Sequence, residues 1–267
     1  YDPHGTDSRH FSTVDGLVRH DTWGIMEDAE SRVWLATYGG LNIYDPKSKE
    51  LKYLEIPASI GSNDHRGFSK LTDNEVFLGS VGGFAIINLG ERTITSYGAN
   101  SETALFNWRA IQRPDSTIWI ASSAGLLVFD REKGSMKKLD SSSGIAGDTV
   151  WGILEDSLGQ VWLVSNSGIN IIDPENETVK YIGVTEGLLT VDQSALLISP
   201  EDEMIIGGSK GISLLNKDRT TITHVNRAHG LYPEALYDMI ISQGRIQLGT
   251  ENGIVVIDKP ETGSSDS

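Results

Sequence analysis

The chain contains no cysteine. That absence excludes a disulfide scaffold, a thiolate metal site and a cysteine nucleophile. It agrees with an oxidising compartment without requiring one. Positive charge is also scarce: 22 Lys and Arg stand against 37 Asp and Glu, a net charge of −15. Such a surface repels phosphate backbones, which argues against nucleic-acid binding and against docking on anionic membranes by charge. No apolar run approaches the ~18–20 residues of a membrane span, and no signal-peptide pattern opens at Tyr1. The chain therefore reads as mature or as excised from something longer. Proline is rare, at 8 residues, whereas glycine is plentiful, at 29 of 267 against a usual share of ~7%. Many tight turns follow, without the composition of a disordered chain. Hydrophobic residues make up 38% of the sequence, enough for a sizeable core. Length alone leaves one or two domains open.

What is present is a repeat. The six Trp fall in three pairs, Trp23/Trp34, Trp108/Trp119 and Trp151/Trp162, each 11 residues apart. Alignment on the second member gives Trp34, Phe77, Trp119, Trp162, Ile205 and Gln247, at spacings of 43, 42, 43, 43 and 42. A Gly follows six residues later in every copy: Gly40, Gly83, Gly125, Gly168, Gly211 and Gly253. An Asp or Asn follows five residues after that, from Asp45 to Asp258. Three features recurring in six copies define a repeat architecture.

Each unit resolves into short strands. In the first, the pattern predicts strands over 24–27, 33–37, 41–44 and 51–54, with polar turns at Asp28 and Asp45-Pro46 and a glycine turn at Gly39-Gly40. Four strands in about 43 residues, repeated, predict β-propeller blades, which bury both faces only by stacking on one another. The ends are complementary. Tyr1-Asp2-Pro3 matches Tyr44-Asp45-Pro46, and the last unit stops after its third strand at Asp258. The expectation is all-β: one propeller domain over 1–260 with six four-stranded blades. Residues 1–13 would complete the last blade, and 261–267 would form a disordered polar tail. Closure of this kind removes an exposed sheet edge. The alternative is part of a seven-bladed ring.

In a propeller the start of each inner strand and the turn between strands two and three meet at one face, around the mouth of a central channel. Eleven candidates fall there: Trp23, Tyr38, His65, Arg66, Trp108, Arg109, Trp151, Asn166, Gln193, Lys210 and Glu251. Leu236 is the inner-strand counterpart of Trp23 in the last unit. Aromatic faces stack on the C–H-rich faces of a ligand, while amides and carboxylates read hydroxyls, so the set suits a small polar ligand such as a sugar. The competing reading packs Trp23, Trp108 and Trp151 between blades. Trp34, Trp119 and Trp162, mid-strand, read as core. The Asp-rich turns at Asp28, Asp73, Asp115 and Asp156 lack the dense alternation of oxygen ligands of a calcium loop and read as turn caps. No His pair has zinc-site spacing, and no Ser sits in a nucleophile elbow. No cofactor and no metal is expected.

The string from Glu27-Asp28 to Asp45, repeated from Glu155-Asp156 to Asp173, closely resembles the two-component regulator propeller repeat; weaker copies run over Val76–Asn88 and Ile118–Asp130. Asp15-Gly16-Leu17, Glu186-Gly187-Leu188 and Gly230-Leu231 resemble that family's segments between blades. The resemblance implies a non-catalytic periplasmic sensor region, N-terminal to a membrane segment and a cytoplasmic kinase or cyclase output. Some members sense oligosaccharides. Neighbouring receptor domains or a second copy would be its protein partners. The family's usual seven-bladed rings and following β-sandwich are not matched by the six units counted here. A protein–protein scaffold without a small ligand stays open. So does a propeller lyase resembling streptogramin lyases, whose similar Trp-containing repeats would need a mouth histidine such as His65 or His20.

Overall fold

The computed structural model describes residues 10–98, 106–231, 236–242 and 244–258. The fold is all-β, a β-propeller of six blade sheets, and four short 3-10 turns are its only helical elements among the described residues. Within each sheet the strands are antiparallel neighbours in chain order. The structure divides into two compact units, 1–116 and 117–267.

The first unit holds β1 (Thr22–Glu27), β2 (Val33–Thr37), β3 (Gly40–Asp45), β4 (Glu50–Leu54), β5 (Gly67–Lys70), β6 (Glu75–Ser80), β7 (Gly83–Asn88), β8 (Thr93–Tyr97) and β9 (Asn107–Gln112). The second holds β10 (Ile118–Ser122), β11 (Gly125–Asp130), β12 (Ser135–Leu139), β13 (Val150–Glu155), β14 (Val161–Ser165), β15 (Gly168–Asp173), β16 (Thr178–Ile182), β17 (Gln193–Ile198), β18 (Met204–Gly208), β19 (Gly211–Leu215), β20 (Ile222–Asn226), β21 (Leu236–Ser242), β22 (Arg245–Thr250) and β23 (Gly253–Asp258). The strands predicted for the first repeat match β1–β4 to within two residues at either end.

Stacking of sheets makes the core. In the first unit Trp34, Ala36 and Leu41 of the first sheet pack on Phe68, Val76, Leu78 and Ile87 of the second. In the second unit Trp162, Val164 and Ile169 pack on Met204, Ile206 and Leu215, and Ile205, Ile212 and Leu214 pack in turn on Met239, Ile246 and Leu248. The middle strands are apolar on both faces because each face meets a neighbour. Trp34, Trp119 and Trp162 are all buried, as the mid-strand position predicts.

The repeat also shows where cover stops. Leu41, Phe84, Leu126, Ile169 and Ile212 occupy one register position in the third strands, and each is fully buried. Ile254 holds that position in β23 and is 76% exposed. Val256 and Ile240 on the same sheet are exposed with it. At the opposite kind of face, Ile25 of β1 is exposed where its counterparts Phe68 and Ile153 are buried. The last sheet has three strands among the described residues. The strand expected from 1–13 falls mostly outside them, and its described part, His10 to Thr13, forms no strand but leads into a 3-10 turn at Thr13–Asp15. The tail at 261–267 also lies outside the described residues.

Candidate functional site

Four inner strands, β1, β13, β17 and β21, open with an irregularity. Thr22 pairs with Thr37 and Gly24 with Ala36, leaving Trp23 out of the ladder. Trp151, Ser194 and Tyr237 are skipped in the same way. A β-bulge of this kind re-aims the side chain it displaces. Trp23 is 53% exposed and Trp151 41%, whereas their partners Trp34 and Trp162 lie inside the stack. The last repeat corrects the alignment by one residue. The bulge falls on exposed Tyr237, not on Leu236, which is buried. The β21–β22 hairpin pairs Ser242 with Arg245, a loop one residue effectively shorter than the repeat, so counting back from Gln247 overshoots.

In the first unit Trp23 meets residues from the starts of the next two inner strands. The Arg66 guanidinium carbon lies 4.9 Å from the Trp23 ring centroid and 5.0 Å from that of Phe106. Phe106 in turn lies parallel to Trp108, with ring centroids 6.0 Å apart and an interplanar angle of 1°. The result is a column: indole, guanidinium, phenyl, indole. Cation–π contacts of this type contribute about 0.5–1 kcal/mol each at exposed sites. Asp64 fixes the guanidinium orientation. Arg66 Nε donates to Oδ1 at 2.9 Å and to Oδ2 at 3.0 Å, and Nη2 lies 2.8 Å from Oδ2. Hydrogen bonding to Asp64 raises the Arg66 pKa further above its already high value.

The backbone that carries the column is pinned on both sides. Asp64 bridges to Tyr38, and Phe106 to Val81. The Asn107 amide donates to the carbonyls of Ser80 and Gly83, both at 3.1 Å, which anchors β9 on the β6–β7 turn. Gly67 and Gly79 make that approach possible, since a Cβ on either would collide with the Asn107 carbonyl oxygen. Tyr38 is exposed, with the Arg19 guanidinium 5.5 Å from its ring. Arg109 is exposed on β9.

His65 lies beneath this surface rather than on it. It is buried, and neither ring nitrogen has a hydrogen-bond partner among the described residues. Burial pushes its pKa down to about 4, against a smaller upward pull from Asp64. The remaining candidates belong to the second unit. Gln193 is buried and its amide donates to the Thr190 carbonyl, so it braces its own loop. Asn166 Oδ1 accepts from the Thr149 amide at 3.4 Å. Lys210 and Glu251 are exposed on turns. Tyr237 was not among the expected residues. Asp64 and Phe106 stand two positions ahead of the Arg66 and Trp108 positions, where the repeat spacing places further residues of the same mouth.

The turns at Asp28 and Asp156 are capped by their carboxylates, whereas at Asp73 the cap is Thr72, whose Oγ1 accepts from the Asn74 and Glu75 amides while Asp73 itself pairs with Lys70. Asp156 Oδ1 accepts from the Leu158 and Gln160 amides at 3.0 Å each, and Oδ2 accepts the Trp162 indole N–H at 2.8 Å. Asp28 does the same for Glu30, Arg32 and Trp34. Burial pushes the Asp28 carboxyl up, but hydrogen bonds from Trp34, Arg32 and Glu30 outweigh it and hold the group below the usual carboxylate range. Among the described residues no cluster of three His, Asp or Glu is arranged to hold a metal ion.

No family model and no curated protein matches the sequence. Solved structures do match in fold. One is the extracellular domain of a protein named a hybrid two component system from B. thetaiotaomicron. It superposes with a TM-score of 0.80 at 18% identity, over 92% of this chain and 34% of that one. The chain shares the fold of such extracellular domains. A second B. thetaiotaomicron extracellular domain, named a one component system, gives a TM-score of 0.75 at 17% identity over 89% of this chain and 34% of the other. The chain thus spans about a third of the length of these relatives. Virginiamycin B lyase from Staphylococcus aureus gives 0.68 at 12% identity, over 91% of this chain and 85% of the lyase. No helix among the described residues is long and apolar enough to cross a membrane.

Proposed function

We propose that the chain is the extracytoplasmic sensing propeller of a bacterial signalling receptor. In this reading it binds a small polar ligand, such as an oligosaccharide, on the Trp23–Arg66–Phe106–Trp108 column. The observation that carries the reading is the placement of Trp23. A bulge holds a large indole in solvent, against a guanidinium that Asp64 has already oriented. Exposed aromatic surface beside a fixed polar group suits a sugar, whose axial C–H face stacks and whose hydroxyls accept from an arginine. A pre-oriented side chain lowers the ordering cost of binding. Likeness in fold to extracellular domains of two-component and one-component systems supports the location and the sensing role. The domain itself would bind without turning its ligand over. Signal transfer would follow from a ligand that binds one arrangement of the receptor better than another, since only differential affinity shifts an equilibrium.

The test is a thermal-shift screen against neutral and acidic oligosaccharides, because a ligand that binds only the folded state raises the melting temperature by mass action. Saturable shifts that disappear in a Trp23→Ala variant support the reading. Shifts that survive that substitution place the ligand elsewhere.

A further inference from the structure

Trp23 and Tyr38 flank one backbone pair. Thr22 pairs with Thr37 where β1 meets β2; Trp23 is displaced on one side of that pair and Tyr38 follows it on the other. Both rings are exposed, Trp23 at 53% and Tyr38 at 43%. Three backbone links hold Tyr38 in place. Its N–H donates to the Asp21 carbonyl at 3.3 Å, the Gly39 N–H donates to the Asn63 carbonyl at 2.7 Å, and Tyr38 forms an isolated bridge with Asp64. Asp64 is the residue that orients Arg66 against Trp23. Bridged residues stand about 5 Å apart, so Tyr38 adjoins the column without belonging to it.

The repeat shows that the fold requires no ring at this position. Val81, Ser123 and Asn166 hold it in the next three repeats, each two residues ahead of the conserved turn glycine at Gly83, Gly125 or Gly168. Arg19 is equally particular to the first repeat. Asn42 Oδ1 accepts from the Val18 amide at 3.1 Å, as Asn170 Oδ1 accepts from the Ala146 amide at 2.7 Å, which makes Gly147 the counterpart of Arg19. In the fourth repeat Gly147 lies against Asn166. In the first, Arg19 and Tyr38 take those two places, with the guanidinium carbon 5.5 Å from the ring centroid. Arg19 is exposed and makes no ion pair among the described residues, so its N–H groups are open to a ligand.

We propose that Tyr38 and Arg19 form a second stacking subsite beside the column, so that the site takes an oligosaccharide of two or more rings rather than a single sugar. The subsite rests on the column's being the place where the first ring binds. One ring lies on Trp23 and the next on Tyr38, while a hydroxyl of the second ring accepts from the Arg19 guanidinium. Tyr38 is thereby the residue that sets the shortest ligand held with full affinity.

The test is calorimetric titration of the full chain with cello-, xylo-, manno- and maltooligosaccharides, each series run from the monosaccharide to the pentasaccharide. At least one series should bind about tenfold tighter as a di- or trisaccharide than as the monosaccharide, the gain expected from one stacked face and one hydrogen bond. Tyr38→Asn copies the fourth repeat and should leave the melting temperature near that of the parent. It should remove most of the gain with length while leaving the monosaccharide affinity within about twofold. Arg19→Gln alters only an exposed side chain and should remove part of the gain. A gain retained in both variants, in a series whose binding Trp23→Ala weakens, overturns the second subsite and leaves the column standing. Equal loss of monosaccharide and oligosaccharide binding in Tyr38→Asn also overturns it. Binding in none of the series, or binding that Trp23→Ala does not weaken, overturns the column and the subsite together.

Discussion

The Trp162 indole N–H donates to Asp156 Oδ2 at 2.8 Å, and both side chains are buried. One carboxylate therefore caps a hairpin turn with one oxygen and satisfies the core tryptophan of the repeat with the other. The Asp and Trp of the repeat, six positions apart, are a single structural device. Trp162→Phe keeps the packing but strands the carboxylate oxygen, and should cost about 1.5–3 kcal/mol, the range for a hydrogen bond to a charged group. Urea unfolding midpoints of the two proteins measure it. A loss below about 0.5 kcal/mol would mean that the bond contributes nothing net.

Ile212 and Ile254 occupy the same register position in two third strands, one fully buried and the other 76% exposed. The same substitution should have opposite outcomes. Ile212→Asp buries an unpaired charge and should prevent folding or cost more than about 4 kcal/mol. Ile254→Asp should fall within about 0.5 kcal/mol of the parent, as surface substitutions do. Equal damage at both sites would show that Ile254 is covered in solution.

His65 gives a pH signature. Its folded pKa of about 4 lies below the ordinary histidine value of 6.5. Between those two values the unfolded chain binds a proton that the folded chain does not, so this residue's contribution to stability falls as pH drops from about 6.5 to about 4. At 1.36 kcal/mol per unit the loss at pH 4.5 is about 2–3 kcal/mol. In His65→Leu that slope should shrink by this amount between pH 6.5 and 4.5, leaving the contribution of His224, whose pKa burial also lowers. Stability measured against pH for both proteins decides it, and identical slopes would refute the assignment.

Gly79 lets the Asn107 carbonyl approach β6, and so sets the height of Phe106 and Trp108 beside Arg66. Gly79→Ala should destabilise the first unit by about 1–3 kcal/mol through overpacking against backbone. It should also weaken ligand binding although it touches no ligand. Unchanged affinity in a folded Gly79→Ala protein would separate this contact from the site.

The fold was legible because the repeat fixes it several times over. Trp34, Gly40 and Asp45 recur at constant spacing, since each turn and each core position has the same physical task in every sheet. The separation of buried Trp34 from exposed Trp23 followed from strand position. The column itself was not legible. It depends on a bulge at Trp23 and a parallel Phe106–Trp108 pair, and strand alternation carries no sign of either. His65 was misjudged in depth: it holds the repeat position of Asn107, Val150 and Gln193, and all four are buried.

The central claim, that the Trp23–Arg66–Phe106–Trp108 column is the ligand site, is tested most directly by calorimetric titration. The ligand is the oligosaccharide giving the largest thermal shift, and the proteins are the parent and Trp23→Ala. Loss of one stacking face should weaken binding about tenfold or more, with the melting temperature of the variant within a few degrees of the parent because Trp23 is half exposed. Affinity unchanged in a folded Trp23→Ala protein would contradict it.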